Sequence, residues 1–574
     1  MIRQHLRVAA VVLAVALCGC APAANPASAP SSAIRTEQPA IGPTGTLHIA
    51  LAREPSTLNP KFVTGGGAPD FNWMFNAPLS YADFRGVTHP VMAREVPSQD
   101  NGEWVANPDG SMVTTYHLRD ELRWHDGVPI TAQDFVFGAQ VYLDPNIPTV
   151  NRAPESLMTG VVALDDRTLE ISWSEPYIYA NELSVSDLPP LPRHRLEAKY
   201  EADKSNFAAG PEWTSAYVGT GPFRVSAWDS GVRIVAEADR DWVLGAPHIA
   251  TIEIRFISDA NALTAALLTG DIDYTASPSV GVTQAVAARD QWTTNGDGYI
   301  KTWAVRMIYL EFQYQDVPGY QVALRDQRVR AAMYSAIDRA GLTEAMTSGL
   351  SMVADAWVLP ADGAFQDVAR AITPYPFDPQ RARALLADAQ WRGQPGELAT
   401  NPGGQTLDVE MRSGDVDPKA ATIIADNWKQ VGVNGAPYVL PQALVGDARA
   451  RNSFPGTQVG MRTVSIDGFH LLTSRIPTAA APGGSNRGGF SNAEVDRLNR
   501  LAVTSLDESA RQRAVVAMNQ RLSDIVAYGP LYYQTDFLLA RTKLRGPLGG
   551  GDPVAPAVGS LGSTWNVYEW ELAP

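Results

Sequence analysis

Trp124, His125 and Asp126 stand side by side in ELRWHDGVPITAQDFVFGAQVYLDP, residues 121–145. An imidazole next to a carboxylate can supply a general base or a metal ligand. Either role needs partners that converge in space. The flanking residues point elsewhere. Asp126-Gly127 is a turn signal. Thr131 then precedes AQDFVFGAQVYL, with Asp134 three residues on. That spacing is close to a capping box, with Asp in place of the usual Glu or Gln. The stretch reads as strand, turn and capped helix, and His125 and Asp126 as structural residues.

Other chemistry-bearing patterns are missing. The chain has no G-x-S-x-G elbow, no H-E-x-x-H, no Walker A loop and no G-x-G-x-x-G. His48, His89, His117, His125, His194, His248 and His470 are scattered without zinc-ligand spacing. The carboxylate pairs Asp165–Asp166 and Asp507–Glu508 flank strand and helix starts. No catalytic residue, metal or cofactor is expected, so the chain reads as a protein other than an enzyme. An anchored extracellular hydrolase would need a nucleophile with a base, and none is signalled.

The elements that must position any site follow from composition and periodicity. The chain has 574 residues, 45% hydrophobic and 19% charged, which is enough to bury several cores. A net charge of −15 argues against a broad nucleic-acid surface. Arg3 and Arg7 bracket the start of an apolar run, Val8 to Leu17, too short to span a bilayer and suited to a signal peptide. Leu17-Cys18-Gly19-Cys20 resembles a bacterial lipobox, which implies a signal over residues 1–19 and a diacylglycerol on Cys20. Cys18 and Cys20 are the only cysteines, so the mature chain keeps none for a disulfide. Residues 20–44, the anchored cysteine and an Ala/Pro/Ser-rich stretch, read as a tether.

Beyond the tether, strand and helix signals alternate. RTLEISW (167–173), TIEIRFI (251–257) and IYLEFQY (308–314) have the alternation of strands. Asp259 and Gly270 bracket one helix. Asp326 opens another over QRVRAAMYSAIDRA. Asp378-Pro379 starts a third, and Ser491 with Glu494 forms a capping box before a fourth. The glycine runs at 65–67 and 549–551 read as loops. This mixture predicts an α/β body of several lobes.

LAREPSTLNP, YHLRDELRWHDGVPITAQDFVFG, LDDRTLEISWSEP, VGTGPFRVSAW, DRDWVLGAPHIATIEIRFISDANALTAALLTGDIDY, RDQRVRAAMYSAIDRAGL, FDPQRARALLADAQW and SNAEVDRLNRLA occur in this order from about residue 47 onward. In these motifs the chain resembles the family 5 solute-binding proteins of ABC importers, which include oligopeptide-, dipeptide- and nickel-binding proteins. The resemblance implies a periplasmic-binding-protein-like class II fold: two α/β lobes joined by a hinge, with an extra α/β domain. By analogy lobe I takes residues 45–65, 217–305 and 525–574, the extra domain 66–216 and lobe II 306–524. It implies a monomer that closes over a solute outside the cytoplasm and docks on permease subunits.

The same resemblance supplies candidate ligand contacts. They are Glu54, Pro55 and Ser56 from lobe I, and Arg462 to Gly468 from lobe II. Asp467 matches the position where peptide-binding relatives pair an Asp with the ligand's amino terminus, and Arg462 lies near a position where they use Arg. Asp467-Gly468 also reads as a plain turn. Trp228 and Trp303 are candidates for lining the cleft. IDGFH replaces the relatives' Y-x-D-P-like pattern, so two ligand classes stay open: di- and oligopeptides, or a sugar, metal chelate or opine-like compound. His470 near Asp467 is the one hint of a metal.

Overall fold

The computed structural model describes residues 43–62, 68–83, 86–394, 396–414, 416–548 and 562–573. The signal segment, Cys20, nearly all of the tether and both glycine runs lie outside the described residues.

A ten-stranded mixed sheet forms the spine. Its spatial order is Asn434–Tyr438, Asp408–Arg412, Thr457–Thr463, Gly298–Phe312, Tyr528–Arg541, Tyr274–Ala276, Thr44–Leu51, Ile249–Phe256, Arg233–Ala238 and Phe223–Asp229. The two central strands are 15 and 14 residues long and pair antiparallel, from Gly298 against Arg541 to Glu311 against Tyr528. One end of this ladder packs Trp303 and Leu538 into a core with Leu47, Ile49, Ile254 and Tyr274. The other end packs Leu310 and Phe312 into a core with Val329, Met333, Ile424 and Trp428. Two lobes therefore share one sheet, and these two strands cross between them.

The lobes are built as their sequences direct. Asp259 caps helix Ala260–Thr269 by accepting from the Ala262 amide at 2.7 Å, and Gly270 ends it at φ +90°. In the second lobe Asp408–Arg412 and Asn434–Tyr438 run parallel on either side of helix Pro418–Lys429. Asp417 caps that helix, Pro418 starts it, and its buried Ala421, Ile424 and Trp428 face the core.

A separate antiparallel sheet orders Trp104–Ala106, Met112–His117, Thr168–Trp173 and Met158–Ala163. Its two inner strands alternate buried and half-buried residues, which puts Met112, Tyr116, Leu169 and Ile171 on one core-facing side with Phe135 of helix Ala132–Leu143. Asp134 accepts from the Thr131 amide at 2.8 Å and also from the Arg193 amide at 3.1 Å, tying helix Arg193–Ala202 to the cap.

Three local expectations change. Residues 121–124 form no strand, only an isolated bridge between Arg123 and Pro129. The helix opened by Asp326 stops at Ser335. A second, Arg339–Thr347, starts where Asp338 accepts from the Gly341 amide at 2.9 Å. Asn492 rather than Ser491 caps helix Ala493–Thr504, while Ser491 Oγ pairs with Thr473 Oγ1 at 2.9 Å. The α/β two-lobed class holds.

Candidate functional site

The loops that could hold a ligand are those whose strands end toward the crossing. Ile49 pairs with Tyr274, and Tyr274 with Ala540, so the chain leaving Leu51 heads toward Asp536. From the other lobe Arg412 pairs with Gln458 and Gln458 with Glu311, so these strands run toward Arg306. The loops after Leu51 and after Thr463 thus flank one cleft from opposite sides. Its floor lies where the two long strands cross: Arg306, Gln534 and Asp536 are half-buried there, while Trp303, Met307, Tyr533 and Phe537 close by are buried.

The lobe I candidates partly converge. Glu54 is occupied: Oε1 accepts from Trp228 Nε1 at 2.6 Å, and Oε2 from the Gly231 amide at 2.8 Å. Pro55 is buried and Ser56 exposed. Trp303 is 7% exposed and packs on the same core that Trp228 edges. Glu54 thus fastens the loop to Trp228, a link between residues 174 apart that no local pattern announces.

From lobe II, Arg462 stands directly opposite Met307, and its Nη1 donates to the Met461 carbonyl at 2.9 Å. Asp467 is exposed on the turn beyond. The turn is buttressed: the Asp467 carbonyl accepts from Arg475 Nη2 at 2.7 Å, and the Gly468 amide donates to Ser465 Oγ at 3.1 Å. These bonds use the main chain.

What the Asp467 charge reaches belongs to the separate sheet unit. Tyr177 is pushed up by burial and then by Asp187 and Asp467. Tyr179 is pushed up by burial and then by Asp467, Glu182 and Asp362. Burial, helped by Asp187 and opposed by Arg511, pushes Glu182 up to about 7. Asp187 is likewise pushed up to about 7 by burial, against the pull of Lys61. The Asp467 charge therefore acts on Tyr177, Tyr179 and Asp187, part of a wall of tyrosines and carboxylates that ionise reluctantly. Sequence reasoning missed this wall, because Tyr177, Tyr179, Glu182 and Asp187 lie in an irregular stretch with no motif. It also missed Arg306, Gln534 and Asp536 on the floor, whose only signal was a polar or charged side chain inside largely apolar strands.

The histidines go elsewhere. His470 is fully buried, its ring 4.5 Å from that of Tyr309 and 4.8 Å from that of Trp357. Burial, then Arg462, Arg475 and Arg487, hold its pKa well below the ordinary value, so it is neutral. His125 is a clamp: Nε2 bonds the Gly221 carbonyl at 2.9 Å and Nδ1 accepts from the Gly219 amide at 3.2 Å. Asp126 pairs with His194 at 2.8 Å.

The model of the bacterial extracellular solute-binding proteins, family 5 Middle, matches residues 97–470. The chain belongs to this family. It is 23% identical over 554 residues to the oligopeptide-binding protein AppA of Bacillus subtilis, covering 93% of this chain and 94% of that one. Among solved structures it resembles the oligopeptide-binding protein of Thermus thermophilus complexed with a pentapeptide, at 22% identity and TM-score 0.64, covering 92% of this chain and 96% of that one. It also resembles NikZ of Campylobacter jejuni in complex with Ni(L-His), at 20% identity and TM-score 0.66, covering 92% and 99%. The family is one of solute-binding proteins.

Proposed function

We propose that this family 5 protein captures peptides between its two lobes and delivers them to the permease of an ABC importer. The observation that carries the reading is the Asp467 side chain. It is exposed at the cleft, no described group bonds its carboxylate, and its charge is felt by Tyr177 and Tyr179 opposite. A carboxylate so placed suits a peptide's ammonium terminus. With the Glu54 carboxylate engaged by Trp228, the lobe I loop offers main-chain groups, as strand-like peptide recognition requires. Trp228 and Trp303 edge the same side.

In this reading lobe I comprises residues 45–65, 217–305 and 534–574, the extra domain 66–216 and lobe II 306–533; the last boundary lies beyond 524 because Val526, Leu531 and Tyr532 pack with Leu310 in the second core. The protein works as a monomer without catalysis, held outside the cytoplasm by lipid on Cys20. Native mass spectrometry of protein purified from its own host tests the ligand class. A spread of peptide masses is expected. A single small mass, such as a metal chelate, sinks the peptide reading.

A further inference from the structure

The crossing of the two long strands carries polar groups that the cleft loops do not use. Trp303 pairs directly with Asp536, and Arg306 with Gln534. Residues paired directly across an antiparallel ladder project to the same side. Gln534 and Asp536, two apart on one strand, share that side. Trp303 and Arg306 are three apart and would oppose each other in a regular strand. The register slips between Ala304 and Arg306, so the extra residue Val305 brings them back to one side.

These groups are under-used. Arg306 Nη1 meets Asp536 Oδ1 at 3.4 Å, and neither side chain has another bonding partner among the described residues. Gln534 Oε1 is buried and accepts no hydrogen bond. Burial also pushes the Asp536 carboxyl up, with Arg306 opposing. Thr535, between them, faces the other way and is satisfied: its Oγ1 donates to the Leu350 carbonyl at 2.9 Å. A buried acceptor without a donor destabilises the protein that carries it, so an unpaired one calls for an explanation.

We propose that Arg306, Gln534 and Asp536 form a subsite on the cleft floor that receives a hydrogen-bond donor of the bound solute, a main-chain N–H or an ammonium group, at Gln534 Oε1 and Asp536. The subsite rests on the solute-binding reading above but does not depend on which solute is taken. Its acceptors lie on one crossing strand, and Arg306 on the other reaches Asp536, so a seated donor joins the ion pair that links the strands at the point where the lobes meet.

Gln534→Met keeps the volume and removes the acceptor. The test compares it with the parent and with Thr535→Val, reading affinity for tetra-alanine by isothermal titration and the thermal midpoint of ligand-free protein. Gln534→Met should weaken tetra-alanine about tenfold, the size of one lost hydrogen bond. Its ligand-free midpoint should hold or rise, because the orphaned acceptor is gone. Thr535→Val should do the reverse, lowering the midpoint and sparing affinity. A fall in the Gln534→Met midpoint, or unchanged affinity, overturns the proposal. If the parent ignores tetra-alanine, the peptide reading fails by itself. Titration of the same proteins with nickel bis(L-histidine) then decides the floor: a tenfold loss upholds it, and equal affinity, or no uptake of either probe by the parent, overturns it.

Discussion

Removing the charge of Asp467 separates recognition of an amine from support of a turn. Asp467→Asn keeps the side-chain size, and it leaves intact the carbonyl that accepts from Arg475. Two unit charges about 4 Å apart interact by about 1 kcal/mol in water and about 4 kcal/mol at an effective dielectric constant near 20. Asp467 is exposed, which favours the lower figure; a closing cleft excludes water, which favours the higher. Glu182 and Asp187 remain to attract a cation after the substitution, so the loss stays below the upper figure. A loss of about 2 kcal/mol, or roughly 30-fold in affinity, is expected for a free-amine tetrapeptide. The N-acetylated tetrapeptide brings no ammonium charge and should bind the variant and the parent alike. Isothermal titration of both peptides against both proteins forms a double-mutant cycle. Equal losses for the two peptides would refute the amine role and leave Asp467 as a turn residue.

Four further outcomes are expected. Glu182 and Asp187, both pushed up to about 7, gain charge as pH rises through neutrality. Affinity for a free-amine peptide should therefore climb between about pH 6 and 8, and Glu182→Gln with Asp187→Asn should flatten the climb in titrations across that range. The sign for ligand-free stability is opposite: raised carboxyl groups favour the folded state below their ordinary pKa and lose that contribution as pH rises to about 7, so urea midpoints should fall over that window. Lys61 and Glu155 form a buried ion pair at 2.6 Å, their side chains 2% and 0% exposed; Lys61→Met should cost about 3–5 kcal/mol by urea unfolding, and Lys61→Met with Glu155→Leu should recover much of it. Cys20→Ala should release the protein from membranes or leave its signal uncleaved, as read by fractionation and intact mass.

Local grammar was legible; long-range pairing was not. The helices begun by Asp259 and by Asp378-Pro379 form as written, because cap, proline and glycine act within a few residues. The stretch after Asp326 misled because Ala336 and Ile337 continue its apolar face. Asp338 breaks it: its own amide donates to Asn427, 89 residues away, while its side chain caps the next helix. Ser491 misled because Asn492 beside it makes the better cap, accepting from two amides at 3.1 Å. At the cleft, the motif pointed to Glu54, Asp467 and the two tryptophans. It could not show that the Glu54 carboxylate is spent on Trp228, nor that the Asp467 charge acts on a wall from another unit. The floor stayed hidden because a one-residue bulge changes which side chains share a face, and alternation carries no mark of it.

The crossing has an architectural consequence. The chain enters the second lobe at Arg306 and returns from it at Gln534, and these two residues are direct partners on neighbouring strands. Everything between them is an insertion whose ends already touch. Such a lobe is a cassette: it can be exchanged for that of a relative, or replaced by a short hairpin, without moving the ends left behind on the first lobe. Inheritance can therefore act on the two walls of the cleft separately, with new solutes reached by trading one wall while the other keeps its shape.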